Sequence, residues 1–335
     1  MNLTSASKLL AATLCITASY SYADSDRPLF SLTMAESGVP QANSDGSLSH
    51  STQSKSRILP IWGDAARAKG YDLPEPFGAS YSYMNMRQNI VVDSIKFQFY
   101  NIDPMYKDFF EKVISIDAGN TRQNSETHML KLDTWVLPFL NVYGLYGKTK
   151  GKSKTNIDNI AFWTDTTYMQ NLPFELSFKG KTFGGGATFA GGYNHFFATL
   201  DANYTRTNLD ILDGDISAFV LTPRIGYEFV FNPLISGQGN TKVQVWAGAM
   251  YQDITQRFKG DVSKLSLPSE LDDAFAILKS ISPDVGIKFD VKQHLAHKWN
   301  NTLGARFEIT RNFNIVSEVG FGNRNTFFVS GEFRF

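Results

Sequence analysis

Three histidines, His128, His294 and His297, and four aspartates, Asp210, Asp213, Asp215 and Asp253, are the residues whose types suit acid–base chemistry. An imidazole oriented by a carboxylate can take a proton from water, which is the first requirement of hydrolysis. Their spacing adds little to their types. His294 and His297 are three positions apart, and on a strand i and i+3 point to opposite faces, so the pair does not converge on a metal and no third ligand is evident. The sequence therefore predicts no metal site, no cofactor and no assigned catalytic residue.

A second set of ionisable residues is spread more widely: Lys131, Asp133, Asp201, Arg224, Glu228, Lys298, Arg306, Glu308, Glu318, Glu332 and Arg334. Their signs nearly balance. A ring of one sign would favour an ion-selective pore, whereas mixed charges in a confined interior pair and fill it. We expect these residues to form an interior salt-bridge network. That expectation depends on the elements that carry them.

Those elements read as strands with period-two alternation. Phe327, Val329, Gly331, Phe333 and Phe335 alternate with Thr326, Phe328, Ser330, Glu332 and Arg334, and Leu303, Ala305 and Phe307 alternate with Thr302, Arg306 and Glu308. Aromatic residues recur on the greasy faces eight positions apart: Phe196 and Tyr204, Phe219 and Tyr227, Trp299 and Phe307, Phe313 and Phe321, Phe327 and Phe335. Eight residues of a tilted strand climb roughly 20 Å, close to the apolar band between the two aromatic girdles of a membrane barrel. A soluble sandwich has no reason to repeat that interval. The fold class that follows is all-β: a transmembrane antiparallel β-barrel over 77–335, with short helices in its outer loops and its N-terminal segment.

Turn lengths orient the chain. Connections near 138–141, 193–195 and 310–312 are tight, whereas 89–125, 151–179 and 255–296 read as long, and in such barrels short turns face the periplasm. Strands are expected near 77–88, 126–137, 140–150, 180–193, 195–207, 216–230, 241–254, 297–310, 313–322 and 325–335. That makes about ten, with twelve as the alternative if Ile90 to Phe99 forms a further hairpin. The segment 140–150 alternates too poorly for its faces to be assigned.

The remaining segments fix compartment and ends. Residues 1–23 read as a signal peptide: Lys8, an apolar run from Leu9 to Ile16, then Ser21-Tyr22-Ala23 before Asp24. Cys15 lies inside it, so the chain beyond has no thiol for a disulfide or a nucleophile. Residues 24–76 read as a periplasmic or plug segment, polar over 39–56 and then helical from Ile61 to Lys69, entering the lumen or resting at the rim. In the outer loops, Asp103 and Pro104 start one amphipathic helix, and Ser269 with Asp272 start another that carries Phe275, Leu278 and Ile281. A formal net charge of zero argues against a nucleic-acid partner.

The stretches Trp135-Val136-Leu137-Pro138-Phe139-Leu140-Asn141-Val142-Tyr143-Gly144, Phe183-Gly184-Gly185-Gly186 and Leu200-Asp201-Ala202-Asn203-Tyr204 resemble a group of uncharacterised proteobacterial outer-membrane β-barrel proteins. The resemblance implies fold and a place in the cell outer membrane, with lipid and the barrel-assembly machinery as partners, the latter reading the terminal Phe335. It implies no activity. An Asp/His constellation at the outer rim would resemble the ten-stranded outer-membrane aspartyl-type proteases. Two functions therefore stand in front: a narrow or gated channel with a largely filled lumen, porin-like in location, and a closed barrel whose loops bind a surface partner. An outer-membrane hydrolase ranks third.

Overall fold

The computed structural model describes residues 58–68, 73–104, 114–162, 167–193, 195–210, 213–235, 241–264, 272–273, 275–276, 279–280, 282–310 and 312–335. They include eleven strands: β1 (Phe77–Tyr100), β2 (Ile114–Leu137), β3 (Leu140–Phe162), β4 (Thr167–Tyr193), β5 (Phe196–Leu209), β6 (Asp215–Phe231), β7 (Thr241–Asp261), β8 (Gly286–Leu295), β9 (Trp299–Thr310), β10 (Phe313–Phe321) and β11 (Arg324–Arg334). A short helix, α1 (Gly63–Ala68), precedes them.

Ten strands close a ring in the order β11-β10-β9-β7-β6-β5-β4-β3-β2-β1, and β1 returns to β11. Every pairing is antiparallel, and because the ring closes no edge is left open along it. The eleventh, β8, is wedged higher, between residues 90–100 of β1 and residues 255–261 of β7. Lower down, the space between the same two strands is filled by β9, β10 and β11, with residues 78–88 of β1 on β11 and residues 242–251 of β7 on β9. Both β1 and β7 thus change partners partway along. Arg324 sits at that branch, with its guanidinium donating to the backbone carbonyls of Met250, His297 and Lys298.

Alternation produces two different surfaces. Along β9, Asn300, Thr302, Arg306 and Glu308 are buried inside the ring, while Leu303 and Phe307 are exposed outside. Outward residues form an apolar belt, and nine of the ten aromatic residues singled out by spacing are exposed on it. The tenth, Tyr227, is half-buried among His195, Phe196 and Phe229. On β3 the structure assigns the faces that the sequence left open: Asn141, Tyr143, Leu145, Gly147 and Thr149 follow the inward register, and Tyr146, Lys148 and Lys150 are exposed.

The long connections differ from expectation. Much of 89–125, 151–179 and 255–296 is strand: β1, β2, β3, β4 and β7 extend well above the belt, and β8 lies in the last of these segments. Ile90 to Phe99 continues β1 through a bulge between Val92 and Ser94, so the extra hairpin of the twelve-strand alternative does not form. The reason is a change of phase. Above the belt the outward residues become charged while the inward ones become apolar, as with Ile90, Phe97 and Phe99 on β1, so a search for a greasy outer face ends the strands too early. Of the two loop helices, the first lies mostly outside the described residues, as does Ser269. In the second, Asp272–Asp273, Phe275–Ala276 and Lys279–Ser280 are helical, and Phe275 is buried against Phe97, with ring centroids 5.6 Å apart.

Candidate functional site

The lumen is built in layers. Nearest the tight turns, Arg334 Nη2 donates to Asp133 at 3.0 Å and Asn141 donates to the same carboxylate at 2.6 Å. Gln244 donates to Glu228 at 2.8 Å, Arg306 pairs with Glu332 at 3.3 Å, and Lys242 lies 3.9 Å from Glu308. Next, Arg224 grips Glu318 through two bonds of 2.6 and 3.1 Å. Tyr143 donates to Asp201 at 2.7 Å beneath the ammonium of Lys131, which stands 4.8 Å from the ring centroid. Burial in a low-dielectric interior is tolerable for such groups because nearly every charge has an opposite one in reach.

Ten of the eleven ionisable residues singled out in the sequence therefore face inward. Lys298 does not. It precedes β9, so strand alternation does not govern it, and its half-exposed ammonium pairs with Asp253 at 3.0 Å on the outer wall. Lys242, buried at the foot of β7, is an interior cation that the sequence reading missed. Its signal was available in the even-numbered alternation with Gln244 and Trp246.

At the same end, Ala66 of α1 packs on Leu73, Trp135 and Ala190, and Ile61 N–H donates to the Val136 carbonyl at 2.8 Å. Trp135 and Ala190 are buried on the inward register of β2 and β4.

Above the charged layers is a cavity of about 370 Å³ whose wall includes Ser82, Met84, Thr205, Met250 and Phe328. Hydroxyls line one side in a chain: Thr127 to Thr149 at 3.1 Å, Thr149 to Thr182 at 2.7 Å, Thr182 to Thr207 at 2.8 Å. Buried amides roof the other side. Gln88 and Gln256 both donate to the side-chain Oε1 of Gln123, at 3.1 and 2.9 Å, and Gln293 donates to the side-chain Oε1 of Gln256.

Over the glutamines the interior turns apolar. Ile90, Phe99, Leu176, Phe178, Phe258 and Phe289 belong to one buried cluster drawn from β1, β4, β7 and β8. Phe178 and Phe258 meet at 5.5 Å between centroids, and Phe258 has no exposed surface. This cluster fills the interior toward the long-loop end.

The histidines lie elsewhere. His294 Nδ1 is 2.6 Å from Asp93 Oδ1 on the outer surface, where the β1 bulge brings the aspartate within reach, and Thr255 stands opposite His294 in register. His128 bonds to Tyr81 at 2.8 Å, and the His297 carbonyl accepts from Arg324. Asp215 and Asp253 pair with Arg206 and Lys298, and the Asp210 N–H donates to the Lys179 carbonyl. The carboxylate that meets a histidine is thus Asp93, placed by a bulge that spacing alone does not reveal. Among the described residues, no group of three or more His, Cys, Asp or Glu side chains is arranged to hold a metal.

No family model and no curated protein matches the chain. Similar solved structures include the transport unit of the autotransporter AIDA-I from Escherichia coli, 11% identical, covering 78% of this chain and 90% of that one at a TM-score of 0.33. OprB of Pseudomonas putida at low pH is 9% identical over 84% of this chain and 99% of its own, at 0.16. Salmonella typhi OmpF in complex with daunomycin is 9% identical over 76% and 97%, at 0.12. Likeness at this level says nothing of activity.

Proposed function

We propose that this chain is an outer-membrane β-barrel acting as a narrow, gated channel whose lumen is shut at rest. The observation that carries this reading is the apolar cluster around Phe178 and Phe258 inside the mouth of an otherwise polar interior. A lumen meant to stay wet keeps polar side chains inward along its whole length. Here the inward faces of β1, β4, β7 and β8 turn apolar at one level, and a constriction of that kind gates by excluding water.

The outer surface supports the location. An exposed apolar belt with aromatic residues at its borders suits lipid, and ten strands leave an interior that side chains largely fill. Beneath the gate, the 370 Å³ cavity has hydroxyl and thioether walls over a floor that includes Lys131, Asp201, Arg224, Arg306, Glu318 and Glu332, and it takes a small polar solute. The charged layers below it are internally paired, which disfavours a selective ion path.

The apolar cluster and the segment around α1 stand in series. Full-length protein in planar bilayers should therefore show small steps or none. Combining Phe178→Ser and Phe258→Ser with removal of residues 24–70 should give discrete conductance, and either change alone much less. Silence from the combined variant, once heat-modifiable migration shows that it is folded, would overturn the channel in favour of a closed barrel. Large steady conductance from the unaltered chain would make it a general diffusion pore instead.

A further inference from the structure

Three neighbouring strands change character on their outer faces at one shared register. On β2, β3 and β4, Leu130, Tyr146 and Phe183 are direct cross-strand neighbours, and all three are exposed. The next outward rung toward the long-loop end is His128, Lys148 and Lys181, and the one beyond it is Glu126, Lys150 and Lys179. Further up, Lys152 faces Ser177 and Lys154 faces Glu175. Lys148 is thus directly opposite Lys181, and Lys150 directly opposite Lys179. Like charges placed opposite one another weaken a sheet.

Part of that charge is answered within the chain. Lys150 pairs with Glu126 at 2.9 Å, and Lys152 and Lys154 share Glu175 at 2.7 and 3.1 Å. Among the described residues, Lys148, Lys179 and Lys181 make no ion pair of their own. The chain as a whole has no net charge, so this concentration of ammonium groups is local. Backbones of paired strands run about 4.8 Å apart and successive outward rungs about 7 Å. A phosphate with nearly two negative charges fits among three ammonium groups on that grid.

Resting on the membrane reading above, we infer that this face binds the phosphate groups of an outer-leaflet amphiphile. Its acyl chains lie along Leu130, Tyr146 and Phe183, and its phosphates sit among Lys148, Lys179 and Lys181. The cations begin two residues beyond the aromatic rung, roughly 5 Å up a tilted strand, which is headgroup depth. Anionic headgroups attract basic side chains held at that level. Apolar contact below and charge complementarity above thus select one amphiphilic partner.

The test uses full-length barrel folded into phosphatidylcholine vesicles for insertion, and into detergent for titration with hexa-acyl diphosphoryl lipid A and its dephosphorylated counterpart. The diphosphoryl lipid should bind more tightly. The variant Lys148→Gln, Lys179→Gln, Lys181→Gln should lose on the order of 100-fold in that affinity, about fivefold for each lysine. A control with Lys279, Lys288 and Lys292 changed to Gln should lose far less. The triple variant should also melt no lower than the parent in phosphatidylcholine, because neutralising opposed lysines removes repulsion, so a folding defect cannot imitate the result. Equal binding of both lipids, or full affinity in the triple variant, overturns the inference. Complete displacement by excess inorganic phosphate, without retention through the acyl chains, overturns the amphiphile in favour of a free anion. A chain that fails to insert into vesicles overturns the membrane reading itself, and this site with it.

Discussion

The indole of Trp246 on β7 donates to Glu318 on β10 at 2.7 Å, across the intervening strand β9. This is possible because Trp246, Gly304 and Glu318 lie on one rung and the middle residue has no side chain. A Cβ at 304 would overlap the indole. Tyr143 likewise passes over Gly186 of β4, which lies directly opposite it, and reaches Asp201, two residues along β5 from that rung. Each aromatic residue delivers a polar tip to a carboxylate two strands away, so the lumen is filled by side chains lying along the wall.

Gly304→Ala should destabilise the folded barrel by about 1–3 kcal/mol, because the displaced indole loses its rotamer or its bond. Glu318→Gln should cost on the order of 3 kcal/mol by leaving Arg224 buried beside a neutral partner. Urea unfolding in lipid vesicles reads both, and a Gly304→Ala barrel as stable as the parent would show that the row has slack.

Leu303 is exposed in the middle of the belt, so Leu303→Arg should cost about 2–4 kcal/mol of stability in a bilayer. The proper inward comparison is Ser82, which lines the cavity, whereas Thr302 is fully buried and has no room for an arginine. Ser82→Arg should escape the lipid penalty. Equal losses for the two would reverse the faces.

Phe335 closes the seam between β11 and β1. Its N–H donates to the Phe77 carbonyl at 2.9 Å, Phe77 N–H donates back at 3.2 Å, and the two rings stack 6.1 Å apart. Deleting Phe335, or Phe335→Asp, should remove most of the heat-modifiable form from the outer membrane. Gel migration before and after heating decides it, and a normal folded yield from the Asp variant would contradict a role in closure.

Asp290 on the outer part of β8 is held below the usual carboxylate range, chiefly by the hydrogen bonds from Arg257 of β7, with burial acting against them. A depressed folded-state value contributes stability that is present above the ordinary aspartate pKa and lost as pH falls through the lowered one. Pairing of β8 with β7 should therefore weaken under acid, below about pH 4. Carbon NMR of the Asp290 carboxyl should show the low midpoint, and Arg257→Gln should raise it toward the ordinary value. An unchanged midpoint in Arg257→Gln would remove the guanidinium as the cause.

The sequence by itself determined the ring. Alternation with aromatic residues eight apart specifies which side of β5, β6, β9, β10 and β11 faces out, because the choice between lipid-like and lumen-like surroundings is made residue by residue. It also placed Asp133, Arg224, Glu318 and Arg334 in the interior by parity. Their pairing was not legible: Arg224 and Glu318 are 94 positions apart, and only strand order and register bring them together. Tertiary structure alone decided three things. It wedged β8 between β1 and β7, it moved Asp93 onto His294 through a bulge, and it gathered Ile90, Leu176, Phe178 and Phe258 into one buried cluster. Each rests on contacts between segments far apart in the chain, and above the belt the local pattern is inverted, so an apolar residue there means inside where below it means outside.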